Sequence, residues 1–134
     1  MASIKYDEYK VRLNNLKPTL DDLGQSLGLE AAAEELDLLQ AQSAAEDFWN
    51  DMEKAQKVSQ RIKNLQDKLD AQQKRLDTVE DLLVLCEMGH SDRLVIADGN
   101  FPSETMGRNA KVIRCDGHGV SELLDAVLQV FPLD

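Results

Sequence analysis

The feature that most limits the fold is an apolar repeat running through the middle of the chain. Apolar side chains recur at alternating spacings of four and three residues: Val58, Ile62, Leu65, Leu69, Leu76, Val79, Leu83 and Cys86, with Gln72 at the one polar position of the register. This spacing places them on one side of an α-helix. We predict one helix from about Phe48 to Glu87, near 60 Å long at roughly 1.5 Å per residue. Because a lone helix is marginally stable, this apolar seam needs a partner.

The residues before this repeat supply the partner. Residues 3–29 carry the same spacing at Tyr9, Leu13, Leu16, Leu20, Leu23 and Leu27, and residues 29–42 are typical of a second, alanine-rich helix. Pro18 is expected to kink or split the first helix, and Gly28 to cap its end. We predict that the first helix folds back along the third as an antiparallel hairpin. Asp47 would cap the third helix, and Phe48 and Trp49 would pack in the core at the hairpin end.

The pattern changes after Gly89. Residues 93–97 are apolar and predict a short buried strand that ends at Asp98, and residues 111–115 predict a second strand. A loop separates them, and a turn around His118 leads into an amphipathic helix over 120–131. The predicted fold class is mainly α with a small α/β part. An antiparallel helical (coiled-coil) hairpin, residues 1–88, precedes a β-loop-β-α fragment of a parallel α/β fold, residues 89–134.

The composition excludes several classes of function. The formal net charge is −10, so the chain offers no basic face for direct binding of DNA. Its two cysteines lie 29 positions apart without metal-ligand spacing, which predicts reduced thiols and no zinc site. No apolar run reaches the roughly 18 residues that span a bilayer. The expectation is a soluble, cytoplasmic protein without a membrane segment, metal or cofactor.

Three runs in the helical part carry a resemblance: Asp47-Phe48-Trp49-Asn50-Asp51, Ala55-Gln56-Lys57-Val58 and, upstream, Leu20-Asp21-Asp22-Leu23. Through these runs, residues 5–88 resemble the N-terminal helical domain of bacterial peptide chain release factors of the second type. The Gly-Gly-Gln loop with which such factors hydrolyse peptidyl-tRNA is absent from the sequence. The resemblance therefore implies a ribosome-facing helical module and not termination activity.

The C-terminal part carries a denser set of runs: Glu87-Met88-Gly89-His90, Leu94-Val95-Ile96-Ala97-Asp98, Asn100-Phe101-Pro102, Asp116-Gly117-His118-Gly119-Val120 and Phe131-Pro132-Leu133-Asp134. Through them, residues 82–134 resemble the ribose pyranase and fucose mutarotase family. The resemblance implies that His90 is the catalytic proton donor and that Asp98 binds the sugar. That family usually has glycine where Ser91 stands here. Its members continue to a Tyr-Gly-Asn motif that completes the sugar pocket, so the resemblance predicts a truncated and impaired site.

Three functions are consistent with these patterns. The first is an isomerase that interconverts ring forms or anomers of a monosaccharide such as fucose or ribose, with His90 as general acid, Asp98 as sugar ligand and no cofactor. The second is a non-catalytic, ribosome-facing helical module. The third is an inactive chimera, because the two resemblances meet near residue 88. A homo-oligomer formed through the helices or the sheet is also predicted. His118, between two glycines, is interpreted as a turn residue.

Overall fold

The computed structural model describes the backbone of residues 2–89 and 91–130. The chain divides into two compact units, Met1–Cys86 (unit 1) and Glu87–Asp134 (unit 2). Unit 1 contains α1 (Ala2–Ser26), α2 (Leu29–Ser43), a short 3₁₀ helix (Phe48–Asn50) and α3 (Met52–Cys86). Unit 2 contains α4 (Ser103–Met106) and α5 (Val120–Val130). The prediction of a mainly α chain is confirmed.

Unit 1 is an antiparallel hairpin in which α1 and α2 follow one another along α3. Polar contacts give the order, since residue numbers rise on one side as they fall on the other: Lys17 with Glu80, Leu20 with Gln72, Leu27 with Lys68 and Glu35 with Arg61. The predicted return of the first helix along the third is confirmed. The structure adds that α2 continues the same path, so the whole length of α3 has a partner.

The predicted seam of α3 faces this partner. Its buried apolar members include Leu65, Val79 and Leu83. Leu65 is 4% exposed and packs in a cluster with two residues of α2, Ala32 and Leu36. This layer holds α2 against α3, because the apolar surface buried between two helices is the main source of their stability in water.

Gln72 occupies the polar position of the seam and is 7% exposed. Its Nε2 donates a hydrogen bond of 2.6 Å to the backbone oxygen of Leu20 in α1. Gly24 lies against this amide, and a Cβ there would be 3.4 Å from Gln72 Nε2, at the limit of ordinary van der Waals contact. A buried amide that donates to one carbonyl of the facing helix favours this register, since a shift away from the Leu20 oxygen would cost that hydrogen bond.

The α1–α2 junction lies at Gly28, whose φ of +63° is in the left-handed region. Lys68 Nζ donates to the oxygen of Leu27 at 2.6 Å, which satisfies a carbonyl at the end of α1. Gly28 is thus the predicted cap. Pro18, in contrast, lies inside a continuous α1, so the helix is not split there. Proline removes only one donor, and the packing of α1 on α3 before and after it maintains the helix.

Two predictions at the hairpin end are wrong. The side chain of Asp47 makes no capping bond. Instead, Asp51 Oδ1 accepts a hydrogen bond from the backbone N–H of Lys54 at 3.1 Å, at the start of α3. Phe48 is buried, but Trp49 is 64% exposed. Because a 3₁₀ helix has three residues per turn, consecutive side chains point about 120° apart, and both rings cannot enter one core.

The predicted α/β fragment is not formed. No β-strand occurs among the residues that the structure describes, and residues 93–97 and 111–115 are irregular. In unit 2, none of the side chains at 87–89 and 91–129 is buried, and Val95 is 72% exposed. A strand needs neighbours to accept its backbone hydrogen bonds, and two short strands alone are marginal in water. The two apolar runs therefore do not form the buried strands that were predicted.

Across the described parts of the chain, no helix is both long enough and apolar enough to span a membrane.

Candidate functional site

The predicted proton donor, His90, lies outside the described residues, so its predicted pairing with Asp98 stays a prediction. The residues on either side of it form a closed turn. The N–H of Gly89 donates to Asp92 Oδ2 at 2.8 Å, and the N–H of Asp92 donates to the oxygen of Gly89 at 3.1 Å. Asp92 was not among the residues predicted for the site. Its preference for turns, in which the carboxylate accepts nearby backbone N–H groups, was the available signal.

Ser91 is the only non-glycine residue with positive φ in the described part of the chain, at +77°. This left-handed conformation brings the Cβ of an L-residue close to the backbone and costs roughly 1–2 kcal/mol. Glycine has no such cost. The backbone here thus has the conformation that favours glycine, the residue expected at this position from the resemblance.

Replacing Ser91 with glycine is expected to stabilise the Gly89–Asp92 turn by about 1 kcal/mol, because the substitution removes the Cβ from a left-handed position. Hydrogen exchange of the Gly89 amide should slow by several fold. Ser121→Gly is the matched control, since Ser121 lies in α5. In that helix the loss of Cβ should lower the stability of α5 by about 0.5 kcal/mol and speed hydrogen exchange of the α5 amides. Faster exchange at Gly89 in the Ser91 variant would contradict the prediction.

Asp98, the predicted sugar ligand, is exposed and lies at a turn. Its Oδ1 accepts the N–H of Asn100 at 3.0 Å, and its backbone oxygen accepts the N–H of Phe101 at 3.1 Å. The bond from Asn100 orients the carboxylate through Oδ1, and the bond from Phe101 closes the backbone turn. Oδ2 makes no hydrogen bond to the described residues, so it can accept one from a hydroxyl group of a ligand.

A second group of charged side chains precedes and enters α5. His118 Nδ1 lies 3.1 Å from Glu122 Oε1, and Arg114 pairs with Asp116 at 3.2 Å. The hydrogen bond to Asp116 raises the pKa of Arg114 above its usual value. A carboxylate at Nδ1 favours the tautomer with its proton on that nitrogen, which leaves Nε2 as the acceptor. His118 was predicted to be a turn residue, and its contact with Glu122 was not predicted, although the i, i+4 spacing at a helix start is a signal for such a pair.

Unit 1 has a cleft of about 300 Å³ between α2 and α3, which includes Glu35, Arg61 and Lys68 in its lining. Arg61 forms a two-pronged ion pair with Glu35, with both N···O distances at 2.7 Å, and the bond lowers the pKa of Glu35. Lys68 is bound to the oxygen of Leu27. Both cations already have partners within the protein, so the cleft is not a candidate anion site.

Metal ligation has no candidate in the part of the chain that the structure describes. No group of three or more His, Cys, Asp or Glu side chains lies close enough there to hold an ion. Neither Cys86 nor Cys115 is in a disulfide bond, and Cys115 is exposed.

Comparison with known proteins places the resemblance in unit 2 and the end of α3. Residues 74–134 match the model of the RbsD / FucU transport protein family. The chain is 52% identical to a fucose mutarotase of Danio rerio over 58 residues. These aligned residues cover 42% of this chain and 38% of the relative. The chain is also 52% identical to a fucose mutarotase of Bos taurus over 56 residues, and these cover 41% of this chain and 37% of the relative.

The predicted resemblance of the C-terminal part is confirmed, and the family match begins earlier than predicted, within α3. The chain spans less than two fifths of the length of these two relatives. No solved structure matches it.

Proposed function

We propose that residues 74–134 carry the sugar-binding surface of a monosaccharide mutarotase, and that the protein interconverts anomers or ring forms of fucose or ribose. The observation that carries this proposal is the family match over residues 74–134, a range that includes both His90 and Asp98. The 52% identity to two fucose mutarotases makes fucose the first sugar to test.

The proposed reaction is acid–base catalysis without a cofactor. His90 gives a proton to the ring oxygen while a base removes the proton of the anomeric hydroxyl. The bond between the anomeric carbon and the ring oxygen then breaks, and an open-chain aldehyde forms. After rotation about the adjacent carbon–carbon bond, the steps reverse and close the ring on the other face. No net proton is gained or lost. An imidazole suits both directions because it titrates near neutral pH.

The local geometry at Asp98 supports its proposed part. A carboxylate that accepts Asn100 N–H through Oδ1 keeps its orientation, and an exposed Oδ2 can accept a sugar hydroxyl. A charged acceptor makes a stronger hydrogen bond than a neutral one, which favours polyhydroxylated ligands. The hydrogen bonds between Gly89 and Asp92 order the described backbone that adjoins His90 in the sequence.

The proposal is tested by saturation-transfer NMR of anomer exchange in fucose and in ribose, with and without the protein. We expect faster exchange with the protein and loss of this increment in His90→Ala. Asp98→Asn should weaken sugar binding more than it slows exchange at saturating sugar. His118→Ala is the matched control, as the second of two histidines in the chain, and should retain exchange. Equal rates with and without protein would remove the proposal.

Several expectations stay predictions. They are the release-factor resemblance of residues 5–88, the ribosome-facing role, the chimera, the homo-oligomer and the cytoplasmic location. Co-sedimentation with ribosomes tests the ribosome-facing role directly.

A further inference from the structure

The turn from α2 to α3 presents two large apolar side chains to solvent. We name residues 44–53 the hairpin tip. Within it Trp49 is 64% exposed and Met52 is 78% exposed. The Phe48 ring is buried beneath, and it meets the Trp49 ring edge to face, with centroids 5.0 Å apart and planes at 88°. This contact restrains the exposed indole, so little conformational entropy is lost when a partner covers it.

The hairpin tip is also strongly acidic. It contains Glu46, Asp47, Asp51 and Glu53 and no lysine or arginine, and all four acids are exposed. Asp51 accepts the backbone N–H of Lys54, and Glu53 pairs with Lys57 at 2.6 Å. Glu46 and Asp47 make no side-chain hydrogen bond or ion pair to any described residue. Two carboxylates that have no partner among the described side chains therefore adjoin the Phe48–Trp49 pair in sequence.

We propose that the hairpin tip is a docking surface for a basic protein segment in which arginines or lysines alternate with apolar residues. Tryptophan is the side chain most often found at the energetic centre of an interface, and methionine adapts to varied apolar partners. An arginine can lie over an exposed indole while a neighbouring cation pairs with Glu46 or Asp47. This surface is independent of the proposed sugar chemistry of unit 2.

The negative charge of the hairpin tip favours a basic protein segment over a nucleic acid, an anionic lipid surface or a second copy of the chain. Nucleic acids and anionic lipid surfaces would be repelled by four exposed carboxylates. A second copy of the chain carries the same tip and a net charge of −10, which disfavours association tip to tip. A cationic and apolar segment satisfies both features of the surface at once.

The experiment uses the full chain and a fluorescein-labelled Arg-Leu-Arg-Gly repeat peptide, with a Glu-Leu-Glu-Gly repeat as the charge-reversed control. Trp49 is the only tryptophan of the chain, so its emission reports on the tip directly. We expect the arginine peptide to shift this emission to the blue, and the glutamate peptide to leave it unchanged. Peptide anisotropy then gives Kd for the variants.

Trp49→Ala should weaken Kd at least about tenfold, whereas Val11→Ala, at a 59% exposed position of α1, should not. The double variant Glu46→Gln with Asp47→Asn should weaken binding about threefold and reduce its salt dependence. Asp21→Asn with Asp22→Asn is the matched control. These exposed acids of α1 are separated from the tip by α2, whose 15 residues span about 22 Å, beyond a Debye length of roughly 10 Å.

Equal weakening by the two double variants would overturn the proposal, since it would indicate general attraction of a polycation to an acidic protein. So would unchanged Kd in Trp49→Ala, or no binding of the arginine peptide. A blue shift of Trp49 with vesicles of neutral lipid alone would assign the tip to a lipid surface instead. Self-association lost in Trp49→Ala would assign it to a second copy of the chain.

Discussion

Replacing Leu65 with alanine is expected to lower the free energy of unfolding of unit 1 by about 3 kcal/mol, or roughly a hundredfold in the unfolding equilibrium. Leu65 is 4% exposed and lies in the cluster that joins α2 to α3. The substitution removes buried apolar surface and leaves a cavity, because the surrounding helices are held by their own backbone hydrogen bonds and cannot collapse fully. Denaturant unfolding followed by far-ultraviolet circular dichroism measures this change.

Leu38→Ala provides the matched control for this substitution. It makes the same chemical change in the same unit, but Leu38 is 72% exposed. Its effect should stay within about 0.5 kcal/mol. A Leu65 variant that loses less than about 1 kcal/mol, or two variants with equal losses, would show that α2 is not held to α3 through this layer.

Replacing Gly107 with alanine is expected to destabilise the segment from α4 to residue 113 by about 2 kcal/mol. A Cβ at this position would lie 2.5 Å from Val112 Cγ2 and 2.6 Å from the backbone oxygen of Ser103. The valine can rotate, but the Ser103 oxygen accepts the Gly107 N–H at 2.7 Å and is held there. The added methyl group must therefore break this hydrogen bond or displace the turn. Hydrogen exchange of the Gly107 and Ala110 amides should accelerate by more than tenfold.

Gly99→Ala is the control for this prediction, because no atom lies within 4 Å of a Cβ built at Gly99. Exchange at Gly107 should then be unchanged. Local exchange is the appropriate measurement because a chain of two units does not have to unfold in one step. Unchanged exchange in Gly107→Ala would mean that the turn after α4 has room for a side chain.

The helices of unit 1 could be predicted from the sequence because the apolar spacing that indicates a helix involves residues close together in the chain. Residues such as Leu65, Val79 and Leu83 recur at helical spacing, and such a repeat has one stable solution, a helix with its seam covered. The role of Gln72 was harder to predict. Its place in the register was visible, but its acceptor, the Leu20 oxygen, lies 52 positions away. The exposure of Trp49 depends on the short 3₁₀ helix, which the apolar repeat does not predict.

Unit 2 was harder to predict because its apolar runs depend on neighbours. Val95 and Val112 lie in stretches with the composition of buried strands, yet they are 72% and 43% exposed. A helix satisfies its backbone within itself, whereas a strand requires a second strand that its own residues do not specify. The candidate site was also hard to predict, because its contacts depend on how the chain folds. Asp98 was located from the resemblance, whereas the Gly89–Asp92 turn and the His118–Glu122 pair had only general turn and i, i+4 signals in the sequence and were identified from the fold.

The amino-acid sequence by itself determined where the four longer helices form, which side of α3 is apolar and where the resemblance to sugar mutarotases lies, because these depend on residues near one another in the chain. The short helix α4 lies in a segment that was predicted to be a loop. Only the tertiary structure decided that α1 and α2 share one path along α3, that Gln72 bonds to Leu20, that Trp49 faces solvent and that residues 93–97 stay unpaired. Each of these depends on which distant groups meet, and hydrogen bonds and buried surface between distant residues exist only after the chain has folded.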